Sequence, residues 1–315
     1  MRYGRLHGLE TPVSRIILGC GGLRRDNMDK ATTLLDAFRA AGGTTLDTAF
    51  NYGRDGASER AVGQWIAERS ARSDVVIITK GAHHDAEWRP RVRPDVITQE
   101  LTLSLERLGT DHIDLYLLHR DDPQAPVGPI IDCLNQHLTD GRIRAFGGSN
   151  WSPRRIEEAN AYAASHGLQG MVASSPNLAL AVATDPPHMG HATVSGDPEA
   201  LQWYERTRFP LLAWSAQAQG FFSERGNPEN PDARRHFRRY DDPRNWERWR
   251  RVQDLASRRD RTPTQIALAW VLDLPLEVYA VVGPGTVPHL EDALAAQEVT
   301  LTPTELDWLN LQETR

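Results

Sequence analysis

The sequence has few cysteines, no long apolar run and no excess of basic charge. Cys20 and Cys133 are the two cysteines among 315 residues, and their wide separation argues against a disulfide framework or a zinc site. No stretch approaches the roughly 20 apolar residues of a membrane helix, and the N-terminal segment has no signal-peptide core. The net charge of −6 argues against a nucleic-acid partner. These absences predict a soluble, cytoplasmic protein.

Eight short apolar runs recur along the chain. They are nearly continuous rather than alternating, which is typical of strands buried on both faces of a parallel sheet. Helical patterns fill the intervals between them, with start signals such as Ser152-Pro153 and stop signals such as Gly109. The predicted strands are residues 15–20, 44–49, 75–80, 113–119, 143–150, 171–177, 210–216 and 278–284.

This eightfold alternation predicts a closed (β/α)8 TIM barrel that occupies residues 1–315 as a single domain. Two segments lie outside the repeat: residues 2–15 suggest an N-terminal β-hairpin, and residues 302–312 an extra C-terminal helix. Two long loops, 179–196 and 217–244, each follow a strand. In a barrel they would rise over the rim where active sites form.

Ionisable side chains follow several predicted strands at their carboxyl ends, which meet at one rim of a barrel. Asp47 and Tyr52 follow the second strand, Lys80 ends the third and His119 the fourth. A tyrosine hydroxyl has an unperturbed pKa of about 10. A neighbouring ammonium lowers this pKa, and a carboxylate can hold the ammonium in place. No Ser–His–Asp order and no phosphate-binding GK[ST] loop is evident, so the set favours carbonyl reduction by a hydride donor.

Five motifs resemble, in order, those of the aldo-keto reductases: "LDTAFNYG", "IITK", "IDLYLLHR", "IRAFGGSNW" and "VVGPGTVPHLEDAL". The resemblance covers essentially the whole chain and implies a barrel that uses NADPH, sometimes NADH, without metal or flavin. It implies that Tyr52 is the general acid and that Lys80 lowers its pKa. Asp47 would then pair with Lys80, and His119 would orient the substrate carbonyl.

The same resemblance implies a set of cofactor-binding residues. Ser149 and Asn150 would bind the nicotinamide carboxamide, Trp214 would stack on the nicotinamide, and the following turn would strap the pyrophosphate. The complete implied set is Ser149, Asn150, Trp214, Ser215, Gln217, Gly220, Gly283, Gly285, Thr286, His289 and Asp292.

The chain departs from the family pattern at two places. The sixth predicted strand lacks the usual glutamine, which leaves Ser174, Ser175 or Asn177 to contact the nicotinamide. Gly285 stands where relatives often carry arginine or lysine, so one charge-assisted contact with the 2′-phosphate of NADPH is missing. His289 could compensate in part, and NADH stays possible as the cofactor.

Aromatic and polar residues near the predicted rim are the candidates for substrate binding. Phe50, Trp88 and Trp151 are candidates for the pocket lining, since such sites are largely apolar and aromatic, although each also suits a core or rim position. Polar residues near the rim suit a sugar or polyol and hence carbohydrate metabolism: Asn51, Arg54, His84 and Arg120. A small carbonyl compound or sugar is therefore expected, and the oligomeric state stays open.

Two other functions compete with the reductase interpretation. A nucleotide-sensing subunit on the same barrel would bind cofactor, turn over little and join a partner protein. A metal-dependent barrel hydrolase or isomerase would need a ligand set at the strand ends, where Asp47 and His119 qualify but Lys80 is a poor neighbour for a cation.

Overall fold

The computed structural model describes residues 1–184 and 191–312. Its chain begins with an antiparallel hairpin, β1 (Tyr3–Gly4) and β2 (Val13–Ser14). Eight parallel strands then close into a barrel, which confirms the predicted (β/α)8 fold. These strands are β3 (Ile16–Gly19), β4 (Thr45–Asp47), β5 (Val76–Gly81), β6 (Ile113–Leu118), β7 (Ile143–Ser149), β8 (Ser174–Ser175), β9 (Leu211–Ala213) and β10 (Val278–Val282).

Helices surround the barrel and several begin and end on residues that satisfy free backbone groups. Ser152 caps the helix Pro153–Ser165 by accepting from the Arg155 amide, and Thr262 caps the helix Pro263–Asp273 in a reciprocal pair with Gln265. Gly109 ends the helix Pro94–Leu108 in a left-handed conformation, at φ +63°. The helices are α1 (Met28–Ala40), α2 (Ala57–Arg69), α3 (Pro94–Leu108), α4 (Val127–Thr139), α5 (Pro153–Ser165), α6 (Pro198–Thr207), α7 (Pro231–His236), α8 (Pro243–Arg259), α9 (Pro263–Asp273), α10 (Val287–Ala295) and α11 (Pro303–Leu309).

The N-terminal hairpin closes one end of the barrel. Leu6 lies between its two strands in sequence and packs with Ile17, Leu115 and Tyr279 in the buried cluster that fills the barrel interior. Gly8 lies so close to β7 that a Cβ there would be 2.9 Å from the Arg144 carbonyl oxygen. Each fully buried leucine or isoleucine side chain stabilises the folded state by roughly 1.5–3 kcal/mol relative to an exposed one. The carboxyl ends of the strands are left as the open face.

Some predicted boundaries differ from the structure. The sixth barrel strand is much shorter than the predicted 171–177, and the predicted loop 217–244 contains α7 and short 3₁₀ turns. The C-terminal helix is α11, within the predicted 302–312. Residues 185–190 of the predicted loop 179–196, and residues 313–315 of the predicted domain 1–315, lie outside the described residues. In the described ranges, no helix combines the length and apolar character that crossing a membrane requires.

Candidate active site

The open rim brings Asp47, Lys80 and Tyr52 together. The Lys80 ammonium lies 2.8 and 2.7 Å from the two Asp47 carboxylate oxygens and donates to the Thr48 carbonyl at 2.9 Å. Its fourth contact is the Tyr52 hydroxyl, 3.5 Å away. Lys80 is 2% exposed and Asp47 is 3% exposed, so the pair is held away from water. The three side chains form a connected path from a buried carboxylate to a phenol at the cavity.

The backbone between β4 and α2 places the Tyr52 ring. The Phe50 amide donates to the Lys80 carbonyl at 2.8 Å, and the Tyr52 amide closes a turn onto the Ala49 carbonyl at 3.0 Å. Gly21 lies against the Tyr52 ring: a Cβ at position 21 would be 3.3 Å from the nearest ring carbon. The turn after β4 is therefore attached to β5, which carries the lysine.

Burial and charge act in opposite directions on this group. Burial lowers the pKa of Lys80, but the Asp47 carboxylate and the Tyr52 hydroxyl together raise it by more, so the pKa lies above its usual value and the amine stays charged. Burial raises the pKa of Tyr52 above its usual value, while the Lys80 ammonium opposes that rise. The expected influence of Lys80 on Tyr52 is present, but desolvation outweighs it. Tyr52 is a neutral phenol that can donate a proton.

His119 follows β6 and faces the same cavity. It is 6% exposed, and its ring lies edge-on to the Tyr52 ring with centroids 5.6 Å apart. Burial lowers the pKa of His119 well below its usual value, and the positive charges of Lys80 and Arg120 lower it further. His119 is therefore a neutral imidazole, which can donate one hydrogen bond without carrying charge.

These residues line a cavity of about 860 Å³ at the open rim. Its lining contains the four predicted catalytic residues, which the structure brings together, and all of the predicted cofactor residues except Thr286. Thr286 instead caps α10, where its hydroxyl accepts from the His289 amide. Gly22 and Gly283 also line the cavity, and nothing lies within 4 Å of a Cβ built on either. An extended ligand therefore has open space along the rim.

Asn150 and Trp214 form the side of the cavity next to His119. Asn150 adopts a left-handed conformation, at φ +63°, and its amide donates to the His119 carbonyl at 3.1 Å. Its side-chain oxygen accepts from the Trp214 indole at 3.3 Å. The Ser149 hydroxyl donates to the Ser175 carbonyl at 2.9 Å. The predicted carboxamide-binding pair and the predicted stacking residue are thus neighbours.

Asp292 lies in the same lining and is already held by the protein. Its carboxylate accepts from the Thr262 hydroxyl at 2.6 Å, from the Thr264 hydroxyl and from the Gln265 amide at 2.9 Å. His289 lies three residues before Asp292 on α10, and a Cβ on Gly285 would be 3.8 Å from the His289 ring. The predicted adenosine-binding residues therefore share one region of the cavity, where hydroxyl and amide donors fix the carboxylate.

The three predicted substitutes for the missing glutamine have partners inside the protein. The Ser174 hydroxyl is 2.7 Å from the Tyr204 hydroxyl, and the Ser175 hydroxyl donates to the Leu212 carbonyl at 3.0 Å. The Asn177 amide donates to the Trp214 carbonyl at 3.0 Å. None of the three lines the cavity.

The three residues predicted to line a substrate pocket, Phe50, Trp88 and Trp151, do not belong to the lining of this cavity. Trp151 is 1% exposed, and its indole donates to the Arg120 carbonyl at 3.0 Å beneath the rim. Phe50 packs under the guanidinium of Arg107, 4.3 Å from the ring centroid. Trp88 is 38% exposed and lies beside the rings of the histidines at 83 and 84.

The cavity lining also contains four basic or imidazole side chains outside the predicted catalytic and cofactor sets: His83, Arg120, His191 and Arg225. Arg120 directly follows His119, so its place at a strand end was a usable signal. His191 and Arg225 come from the two long segments after β8 and β9, where chain position does not specify which side chain turns inward. The sequence predicted that these two segments cover the rim, but it did not predict which of their side chains line the cavity.

The fold and this cavity define a barrel with a buried cluster of ionisable side chains at the carboxyl ends of its strands. In residues 1–184 and 191–312, no group of three histidine, cysteine or acidic side chains is placed to hold a metal ion. The Asp47–Lys80 pair, the neutral tyrosine and the neutral histidine are suited to moving a proton to an oxygen atom.

Comparisons with known proteins identify the family. The model of the aldo/keto reductase family matches residues 15–310. The uncharacterized oxidoreductase YrpG of Bacillus subtilis is 26% identical over 322 residues, covering 98% of this chain and 95% of the relative. Aldo-keto reductase yakc of Schizosaccharomyces pombe, whose name specifies NADP(+), is 27% identical and covers 92% of this chain and 85% of its own.

A solved structure gives the same answer. The thermostable aldo-keto reductase Tm1743, in complex with the inhibitor epalrestat, superposes with a TM-score of 0.76 at 25% identity, and the match covers 99% of each chain. The chain belongs to the aldo/keto reductase family and is an oxidoreductase.

Proposed function

We propose that this oxidoreductase reduces an aldehyde or ketone to the alcohol with NADPH, and that Tyr52 is the general acid. The observation that carries the proposal is the path from Asp47 through Lys80 to Tyr52, which reaches the cavity beside His119. NADPH, when bound, supplies the hydride. The proposal thus assigns the proton to the chain and the hydride to the cofactor.

The residues at the rim have distinct roles in this reaction. His119, as a neutral imidazole, donates a hydrogen bond to the carbonyl oxygen and orients it toward Tyr52. Tyr52 gives its proton to that oxygen as the alcohol forms. The phenolate left behind is stabilised by the Lys80 ammonium, 3.5 Å away, and Asp47 keeps that ammonium in place. In the reverse direction the phenolate takes the proton back.

The cavity fits a dinucleotide. Its lining includes Ser149, Asn150, Trp214, Gly283 and Gly285, and the open space around Gly283 leaves room for close approach to the backbone. In this assignment the carboxamide binds at Ser149 and Asn150, and the nicotinamide stacks on Trp214. The adenosine end lies against Gly285, His289 and Asp292.

Arg225 supports NADPH over NADH. Its guanidinium lines the same cavity as Gly285 and contacts the His236 ring at 2.9 Å, so a cation is available although position 285 has none. Arginine recognises phosphate through paired, charge-assisted hydrogen bonds. We assign the 2′-phosphate to Arg225, with the NADP(+) in the name of the yeast relative as further support.

A titration with NADPH and, separately, NADH tests the cofactor assignment. Tryptophan fluorescence should be quenched by NADPH in the wild-type protein, and the quench should shrink in Trp214→Phe. Arg225→Met should weaken NADPH binding by roughly 10- to 100-fold and leave NADH binding little changed, because one charged hydrogen bond is worth about 1.5–3 kcal/mol. Arg235→Met, which removes an exposed arginine from α7, is the matched control. Equal effects of Arg225→Met on both cofactors would refute the phosphate assignment.

Tyr52→Phe tests the proton donor. It should bind NADPH as tightly as the wild type but lose turnover by about 10²- to 10⁴-fold, the usual contribution of a general acid. Unchanged turnover would refute the assignment of Tyr52. Tight cofactor binding with no turnover in the wild-type protein, across a panel of aldehydes and ketones, would favour the nucleotide-sensing alternative.

A further inference from the structure

Arg120 is a buried cation at the reaction end of the cavity. It is 4% exposed and directly follows His119, and its guanidinium lines the cavity with Tyr52 and His119. One terminal nitrogen donates to the His119 carbonyl at 2.8 Å, and the other donates to Nε2 of His191 at 2.6 Å. Both partners are uncharged acceptors, since arginine has no lone pair to offer and the imidazole nitrogen must therefore accept.

The charge of Arg120 has no counterion in the described part of the chain. No acidic side chain of residues 1–184 or 191–312 forms an ion pair with it, and burial lowers its pKa to about 10. The Nε–H group has no hydrogen-bond partner there. A guanidinium carries five N–H donors, and two are used by the contacts to His119 and His191. A buried charge with unused donors is costly unless something pairs with it.

Arg155 shows how this protein pairs another buried arginine. It is 4% exposed and donates to the Asp121 carboxylate through two nitrogens, at 3.0 and 3.2 Å. Asp121, the residue after Arg120 in sequence, is thereby committed to Arg155. At the reaction end, the charges of Asp47 and Lys80 cancel each other, so Arg120 leaves this end of the cavity with a net positive charge.

We propose that Arg120 binds a carboxylate of the substrate, so that the enzyme acts on aldehydes or ketones that carry an acid group. A carboxylate would meet unused N–H donors in a charge-assisted, fork-like contact. It would supply the missing counterion while the carbonyl lies between Tyr52 and His119. The proposal rests on the proposed function for the carbonyl chemistry, and it names the class of substrate. An acidic sugar derivative would meet the same requirement.

The test compares 4-carboxybenzaldehyde with its methyl ester, methyl 4-formylbenzoate, because both present the same aromatic aldehyde and only one is charged. Wild-type enzyme should show the higher kcat/KM for the acid. In Arg120→Met the ratio of kcat/KM for acid over ester should fall by roughly 10- to 100-fold, the range of one charged hydrogen-bonded contact. Arg154→Met, which changes an exposed arginine at the start of α5, should leave the ratio unchanged.

Arg120→Lys guards against a variant that does not fold. It keeps the charge but loses the planar fork, so the ratio should fall less than in Arg120→Met and remain below that of the wild type. A wild-type ratio at or below one, or a ratio that neither variant changes, would overturn the proposal while leaving the reductase function in place.

Binding separates the two possible failures. Calorimetric titration of 4-carboxybenzaldehyde into the enzyme saturated with NADP+, where no hydride is available, measures recognition without turnover. Binding that is lost in Arg120→Met supports the carboxylate site even if neither aldehyde is reduced, in which case the proposed reductase function fails alone. Binding of acid and ester with equal affinity would overturn the carboxylate site even if both are reduced.

Discussion

At the scale of single residues, the Lys80–Asp47 pair links stability to activity. Both side chains are almost fully buried, and each is the counterion of the other. Removing one partner leaves an unpaired charge in the interior, which destabilises the fold. Replacing both with neutral groups removes the ion pair and also avoids that cost. The two roles of the pair can therefore be separated by mutation.

Lys80→Met should lower the free energy of unfolding by about 3–5 kcal/mol relative to the wild type, because Asp47 is left buried without its counterion. The double variant Asp47→Asn/Lys80→Met should recover much of this stability. Both variants should have low kcat, since neither has an ammonium beside the Tyr52 hydroxyl. Urea unfolding and steady-state kinetics measure the two effects. Recovery of kcat in the double variant would show that Lys80 acts through stability alone.

His119 should make stability depend on pH. Its pKa is well below the usual 6.5 in the folded protein, whereas the unfolded chain has the usual value. Between these two pKa values the unfolded state binds a proton that the folded state does not, so stability falls as the pH drops below about 6.5. This loss of stability should be smaller in His119→Gln, because glutamine has no group that takes up a proton in this pH range. Unfolding of both proteins at about pH 7.5 and about pH 5 checks this, and parallel losses would contradict it.

At the scale of elements, the N-terminal hairpin has a structural role at the end of the barrel opposite the site. Leu6 is 2% exposed in the interior cluster, and Tyr279 on β10 extends its hydroxyl toward the Arg5 carbonyl, 3.5 Å away. The hairpin thus closes the interior that the strands leave open. Its effect on the candidate site is indirect, because none of its residues lines the cavity.

Leu6→Ala should therefore destabilise the protein by about 2–5 kcal/mol, the usual cost of deleting a buried leucine side chain. The kcat of the folded protein should stay unchanged. His7→Ala, in the same turn but exposed, serves as the control and should be nearly neutral. Thermal unfolding and kinetics below the transition measure both quantities. A loss of kcat that matches the loss of stability would mean that the two ends of the barrel are coupled.

The elements themselves could largely be predicted from the sequence. Apolar runs identified all eight barrel strands, because a strand buried on both faces needs nearly every residue to be apolar. The sixth strand was overestimated: residues 171–177 were predicted as one strand, but the strand spans only Ser174–Ser175, with isolated bridges at Asn177. α7 was missed because its sequence, "PDARRH", is polar and carries no apolar stripe.

At the scale of the whole molecule, the candidate site was predictable where the barrel geometry dictates it. Asp47, Lys80 and His119 lie at or directly after strand ends, and a parallel barrel brings such positions to one rim whatever the loops do. The positions of His191 and Arg225 depend on how long segments fold back over the rim. Trp151 lies outside the cavity lining, with its indole on the Arg120 carbonyl, because sequence does not reveal whether an aromatic ring turns inward or beneath the rim.

The burial of Lys80 also determines how the molecule reacts with amine reagents. The sequence contains two lysines, and the other one, Lys30 on α1, is exposed. Reductive methylation of the native protein should modify Lys30 and the N-terminus but spare Lys80, which peptide mass mapping would show. Modification of Lys80 would then report opening of the barrel rim, and coupling through Lys30 would attach the protein to a surface by one defined side-chain amine.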